Sequence, residues 1–360
     1  MQKRVLFAIS SLGLGHATRS LVIINYLISK KYNISILSYG NALTFLMDEL
    51  KEKKNIDFIK LEDYPPLERG RGLMMYLYLI YDIFIAYLVM RKERKFMKMM
   101  YKKYDLIFSD GRYGIYHKKV KSFIISHQIS FIMPRGLGAF KFISDYINYK
   151  VFNKFNSVLI PDFKNEEINL AGKLSHTDLL KRLNHKYIGL LSSYNDNNNG
   201  KKDIDYLFII SGYLKEHKES FVNTLLNEAK NLDGKKVFVL GDTTKNYKKN
   251  LKEFDITIYS FVSGEVRNKL FENSEVVISR AGYTTIMDLV KLGKKAILFP
   301  TPNQTEQEYL AKHLGKKGYF IIGDQEKDIN LKKLIKKLSD VKKFETNDKT
   351  FENTIKEIIN

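Results

Sequence analysis

Short apolar runs alternate along this chain with longer stretches in which apolar positions recur every three or four residues. In the first half the runs fall at Arg4–Ile9, Asn33–Ser38, Tyr104–Ser109, Ser122–Ser126 and Ser157–Ile160, with helical spacing over His16–Ser29. Strands that alternate with helical stretches predict a parallel sheet with helical crossovers. The pattern stops at a polar, turn-forming stretch, Ser192–Asp203, and then begins again. Further runs follow at Tyr206–Ile210, Lys236–Leu240, Ile256–Tyr259, Val276–Ser279, Ala296–Phe299 and Tyr319–Ile322. The expectation is an α/β protein of two doubly wound, Rossmann-like domains facing across a cleft. Residues 1–191 form the first domain, 192–204 a linker and 205–345 the second. Residues 346–360 form a helix expected to pack back on the first. At 360 residues the chain is also longer than one core usually supports.

One stretch breaks both patterns. Leu73–Met90 is eighteen residues long with a single charge, Asp82, and Arg91–Tyr104 then carries seven basic residues and one acidic. Eighteen helical residues reach about 27 Å, the lower edge of a bilayer span. A carboxylate at the midpoint costs about 2.5–3.5 kcal/mol on insertion, which argues against a transmembrane helix. Two readings stay open for 73–104: a core-packing helix, or an interfacial helix whose tyrosines suit the headgroup region and whose lysines suit anionic lipid.

Charge sharpens this. Residues 1–190 hold 31 Lys/Arg against 16 Asp/Glu and residues 191–360 hold 29 against 24, so the excess of +15 against +5 belongs to the first half. Such asymmetry points to an anionic surface or substrate. No recognised nucleic-acid motif accompanies it, and no nucleic-acid partner is expected. The absence of cysteine excludes disulfides and thiol chemistry and fits a reducing compartment. The opening apolar run ends after five residues at Ser10-Ser11, so it reads as a first strand and not as a signal peptide.

Candidate chemistry lies where strands end. After the first strand comes Ser10-Ser11-Leu12-Gly13-Leu14-Gly15-His16-Ala17-Thr18-Arg19. A dinucleotide fingerprint would place a third glycine where Thr18 stands, and the second strand ends without the acidic residue that fingerprint needs. His16 instead stands on a glycine turn as a candidate base, with Asp110 positioned to orient it. Gly13, Gly15, His127 and Gln128 are expected to line the acceptor side. In the second half, Ser274–Asp288 runs from a strand through Arg280-Ala281-Gly282 into a helix, an arrangement that suits an anion. Asp288 lies about a turn and a half inside that helix, within reach of ribose hydroxyls. Asp203-Ile204-Asp205 has the spacing of a metal-binding pair but sits ahead of a strand, and no metal site is expected there.

Three segments, GLGHATR, SRAGYTTIMD and PTPNQTEQEYLA, together resemble the GT-B glycosyltransferases. The layout is similar to family 28, which includes the enzyme that adds N-acetylglucosamine to the lipid-linked peptidoglycan precursor. SDGRYGIYHKKV, SHQ and NLAGKLSH resemble a group of predicted glycosyltransferases of archaea and bacteria. The resemblance implies transfer of a hexose or N-acetylhexosamine from a nucleotide-sugar, a UDP-sugar above all, to an acceptor hydroxyl. It implies inversion, no metal and no cofactor beyond the donor itself. Ser211 and Gly212 match a glycine turn facing the diphosphate, and Phe261 and Val262 a stretch whose backbone recognises the base. Arg280, Ala281, Gly282 and Thr284 match the phosphate turn. Asp288 stands where the family has a ribose-binding glutamate, and Glu306, Gln307 and Glu308 where it grips the sugar hydroxyls. A lipid-linked acceptor, a peripheral place on the inner face of the cell membrane and a role in the cell envelope are further expectations. A sugar-nucleotide epimerase and a non-catalytic sugar-nucleotide binder stay open as alternatives.

Overall fold

The computed structural model describes residues 2–65, 73–133, 138–194, 202–210, 218–242, 244–262, 264–344 and 350–359, with the backbone alone for 73–80. Two compact units emerge: Met1–Ser193 with Asp348–Asn360, and Tyr194–Asn347.

In the first unit β1 (Arg4–Ile9), α1 (Gly15–Ser29), β2 (Asn33–Ser38), α2 (Gly40–Glu49), β3 (Ile56–Lys60) and α3 (Leu73–Met100) precede β4 (Leu106–Asp110). Then come β5 (Lys121–Ile125), α4 (Lys141–Phe152), β6 (Ser157–Ile160) and β7 (His185–Tyr187). The described strands form one sheet in the order β3-β2-β1-β4-β5-β6-β7, with every pairing parallel. Parallel strands need crossovers, and helices bury both sheet faces, which is why these strands are apolar almost throughout.

Register fixes which helix lies where. Leu6 pairs with Ile107 and Ile107 with Ser122, so Ile124, two residues further, shares their face. Met97 of α3 packs with Leu6 and Ile107, while Phe152 of α4 packs with Ile124 and Val158. Both helices therefore cover one side of the sheet. On the other side Phe7, Phe108 and Phe123 stack in a row at 5.5 and 5.4 Å, and α1 closes over them. Asp110 alternates with Phe108 and so faces α1.

The second unit contains β8 (Ile204–Ile209), α5 (Lys218–Lys230), β9 (Lys236–Val239), β10 (Lys248–Leu251), β11 (Ile256–Tyr259) and α6 (Gly264–Glu272). It continues through β12 (Ser274–Arg280), α7 (Tyr283–Lys291), β13 (Lys295–Phe299), α8 (Thr305–Lys317), β14 (Ile321–Ile322) and α9 (Leu331–Lys336). Strand order is β10-β11-β9-β8-β12-β13-β14, parallel except for the β10–β11 pair. Phe208 stacks on Phe238 at 4.0 Å, at the centre of a cluster that α5 and α9 complete.

A last helix, α10 (Thr350–Ile359), belongs to the first unit. Phe351 meets the Tyr26 ring edge-on at 5.9 Å and Lys3 donates to the Ile359 carbonyl at 2.9 Å. The α/β, doubly wound reading holds for both units. Three short strands escape the sequence reading: β3, β7 and β10.

Among the described residues no helix is long and apolar enough to cross a membrane. On α3, Asp82, Val89, Glu93 and Met97 face inward while Tyr81, Ile83, Phe84 and Tyr87 stand exposed. The inward spacing of 82, 89, 93 and 97 is a helical stripe. The one charge that argues against insertion is thus on the protein side.

Candidate active site

Ser10–Leu14 connects β1 to α1, and Gly13 takes a positive φ of 79° that a larger residue rarely adopts. His16 follows in the first turn of α1. Because Ile9 pairs with Asp110, the carboxylate reaches the same end of the sheet as this loop, and the Ser10 amide donates to the Asp110 carbonyl at 2.8 Å. His16 Nδ1 lies 2.7 Å from Asp110 Oδ1. Asp110 is fully buried and holds more than the histidine: Arg19 Nε donates to Oδ2 at 2.7 Å, Arg19 Nη2 to Oδ1, and the Ser20 hydroxyl to Oδ2 at 3.0 Å. Burial alone would raise this carboxyl. The Arg19 guanidinium and His16 outweigh it and hold it well below the usual carboxylate range.

Arg19 was outside the expected set. It is buried, and its Nη1 lies 3.1 Å from His127 Nδ1 while Nη2 lies 3.0 Å from His16 Nδ1. Residues 16 and 19 share a helix face, so their three-residue spacing was the available signal. Gly111 was also unforeseen. At φ 76° it has no room for a side chain, since a Cβ would stand 2.9 Å from Ser10 Cβ and 3.2 Å from His16 Cε1. Gln128 sits beside this group in a turn where its amide donates to Ser126 Oγ at 3.1 Å.

A second buried network grips the loop from its other side. Asp63 accepts from the Ser10 hydroxyl at 3.0 Å and from the Ser11 amide, and pairs with Arg112 at 3.0 Å. Arg112 also pairs with Glu93 of α3 at 2.6 Å. Burial raises the Glu93 carboxyl, against the pull of Arg112. No apolar-pattern argument signals this cluster, because Asp63 lies in a loop and Glu93 in a charged run.

In the second unit, β12 ends at Arg280 and α7 starts at Tyr283. Gly282 is the N-cap at φ −74°, ψ 137°, with no side chain capping the helix, and a Cβ added there would meet nothing within 4 Å. Ala281 is buried and Thr284 half-buried, and Asp288 lies inside the helix with 5% of its surface exposed. Arg280 lies 3.9 Å from the face of Phe221 and donates to Gln325. Burial lowers its pKa to about 10, so this is a desolvated cation.

Strand order spreads the other candidates along the carboxyl edge. Glu306, Gln307 and Glu308 open α8, next after β13 and so beside β12. Gln307 Oε1 accepts from the amide and hydroxyl of Thr301, both at 3.1 Å, and Glu308 accepts from the Asn303 amide at 2.9 Å. These two side chains thus shape the turn ahead of α8, with Asn303 at φ 65°. Phe261 and Val262 follow β11, pinned by Ser260, whose hydroxyl accepts from the Tyr247 amide at 2.9 Å. β11 is three strands from β12, about 14 Å at the usual strand spacing. Ser211 and Gly212 lie outside the described residues. No cluster of potential metal ligands occurs among the described residues.

Residues 217–360 match the glycosyltransferase family 28 C-terminal domain. The chain is a GT-B glycosyltransferase similar to family 28. Solved structures agree on the fold over the whole length. MurG of Acinetobacter baumannii matches with a TM-score of 0.58 at 15% identity, covering 99% of each chain. UGT89C1 of Arabidopsis thaliana, complexed with UDP-L-rhamnose, matches at 0.65 and 12% identity, covering 100% of this chain and 94% of that one. The spinosyn rhamnosyltransferase SpnG, complexed with thymidine diphosphate, matches at 0.61 and 12%, covering 99% and 95%. No curated protein matches the chain by sequence.

Proposed function

We propose that this glycosyltransferase moves a hexose or N-acetylhexosamine from a nucleoside-diphosphate sugar to an acceptor hydroxyl with inversion. The observation that carries the reading is the His16–Asp110 contact of 2.7 Å beside a glycine loop. His16 takes the hydroxyl proton on Nε2 while Asp110 steadies the ring. The acceptor oxygen then bonds to the anomeric carbon as the bond to the diphosphate breaks on the opposite side, which inverts that centre.

The second unit holds the donor. The N-terminus of α7, with Arg280, meets the negative charge that the departing diphosphate gains, and the proposal assigns no metal to that task. Asp288 takes the ribose hydroxyls, the backbone of Phe261 and Val262 the base, and Glu306–Glu308 the sugar. Support comes from the spread of these residues over about 14 Å of sheet edge, comparable to an extended nucleoside diphosphate. The uridine and thymidine diphosphates bound by similar structures favour a pyrimidine base.

The acceptor is proposed to be lipid-linked, at the inner face of the cell membrane. Beyond α3, helix α4 exposes Phe142, Ile143, Tyr146 and Ile147 on the same side of the sheet, with Phe142 71% exposed. Lysines and arginines border both faces, which matches an anionic lipid surface.

Thermal shift against UDP-, GDP- and dTDP-sugars tests the donor reading. A UDP-sugar at a hundred times its dissociation constant should stabilise the protein by about 2.7 kcal/mol, and Asp288→Ala should reduce that shift. Failure of all three donor classes to raise Tm at millimolar concentration would count against it.

A further inference from the structure

We propose that Arg19 is a positioning residue that holds His127 directly, and His16 through Asp110, in opposite tautomers, so that only His16 presents a basic nitrogen. The guanidinium carries donors and no acceptor. Arg19 Nη1 stands 3.1 Å from His127 Nδ1, so that nitrogen accepts and the ring proton of His127 sits on Nε2. At His16 the order reverses. Its Nδ1 lies 2.7 Å from Asp110 Oδ1, and a carboxylate can only accept. A lone pair aimed at that oxygen would repel it, whereas a proton there makes a charge-assisted bond. Arg19 Nη2, 3.0 Å from the same Nδ1, directs its hydrogen to Asp110 Oδ1 instead. His16 is left with its lone pair on Nε2.

Charge supports the same arrangement. Arg19 and Asp110 cancel, so the pair brings no net charge to the two rings. Among the described residues the groups around the pair include Ser20 on α1, Gly111 after β4 and Ser10 in the glycine loop. Behind Ser10, Asp63 is matched by Arg112. Arg19 thus sets the His127 tautomer directly and the His16 tautomer through the carboxylate it holds in place. This deepens the reading of His16 as base, and rests on it.

Nitrogen-15 NMR of histidine-labelled, unliganded protein tests the inference directly, with His16→Gln and His127→Gln assigning the two signals. The expected result is a protonated Nδ1 for His16 and a protonated Nε2 for His127. In Arg19→Met, the His127 signal should move toward the average of exchanging tautomers. Arg19→Lys, which keeps the charge and loses the planar fork, should not restore the His127 tautomer. The proposal is overturned if His127 carries its proton on Nδ1 in the native protein, or if folded Arg19→Met leaves the His127 signal unchanged. Should Arg19→Met fail to fold, the native tautomers alone decide. A fully active His16→Ala enzyme would remove His16 as base without altering the tautomers read in the native protein, so the two failures are distinguishable.

Discussion

Asp110 carries more of this site than any other residue. It accepts from Arg19 through both oxygens, from Ser20 and from His16, all in a fully buried position. Its carboxyl titrates lower in the native protein than in the unfolded chain, so between those two values the unfolded state binds more protons. Stability from this group is therefore complete above the unfolded value of about 3.9 and drains away as pH falls below it. Asp110→Asn should lose that acid dependence. It should also cost about 3–5 kcal/mol near neutrality, because it leaves the Arg19 charge buried without its counterion. Thermal melts across pH check both points, and an unchanged melting temperature at neutral pH would contradict them. At this scale His16 and Asp110 were legible in the sequence, since a histidine on a glycine turn and a carboxylate closing a strand each stand out locally. Arg19 was less so, because its role depends on a strand ninety residues away meeting its helix face.

Helices α3 and α4 show what periodicity reveals and what it hides. The apolar run at 73–90 and the basic run after it were plain in the sequence, yet two readings of them stayed open. Both runs lie on α3, where Glu93 and Met97 point inward and Phe84 and Tyr87 outward. The exposed aromatics of α4 were not anticipated, since only the fold sets which of its faces the sheet covers. The buried chain Glu93–Arg112–Asp63 joins α3 to the loop ahead of His16. Replacing Phe84 and Phe142 together by serine should change stability by no more than about 0.5 kcal/mol per site, because both are exposed. The same change should weaken binding to anionic vesicles about a hundredfold or more, given about 1.5–3 kcal/mol for each of the two buried aromatics. Equal pelleting of the variant and the parent at low salt would refute the membrane reading. Strands β7 and β10 were illegible for a different reason. His185–Tyr187 and Lys248–Leu251 are short edge strands of polar residues, held by neighbours and not by their own pattern.

Across the whole molecule two parallel sheets, each built on the same winding, place their chemistry at strand ends. That placement follows from the fold: parallel strands deliver their carboxyl ends to one edge, where helices begin and amides lack partners. The sequence disclosed this architecture because buried parallel strands read as apolar runs. It did not disclose how Gln307 and Glu308 are used, since their bonds to Thr301 and Asn303 depend on the turn they shape. The central claim is that His16 is the base of a sugar transfer whose donor sits on the second unit. The most direct test measures nucleoside-diphosphate release from the best-binding donor by the native protein and by His16→Ala, with donor affinity measured alongside. A loss of about 10²–10⁴ in turnover at unchanged donor affinity is the predicted result. Equal turnover in the two proteins would contradict it.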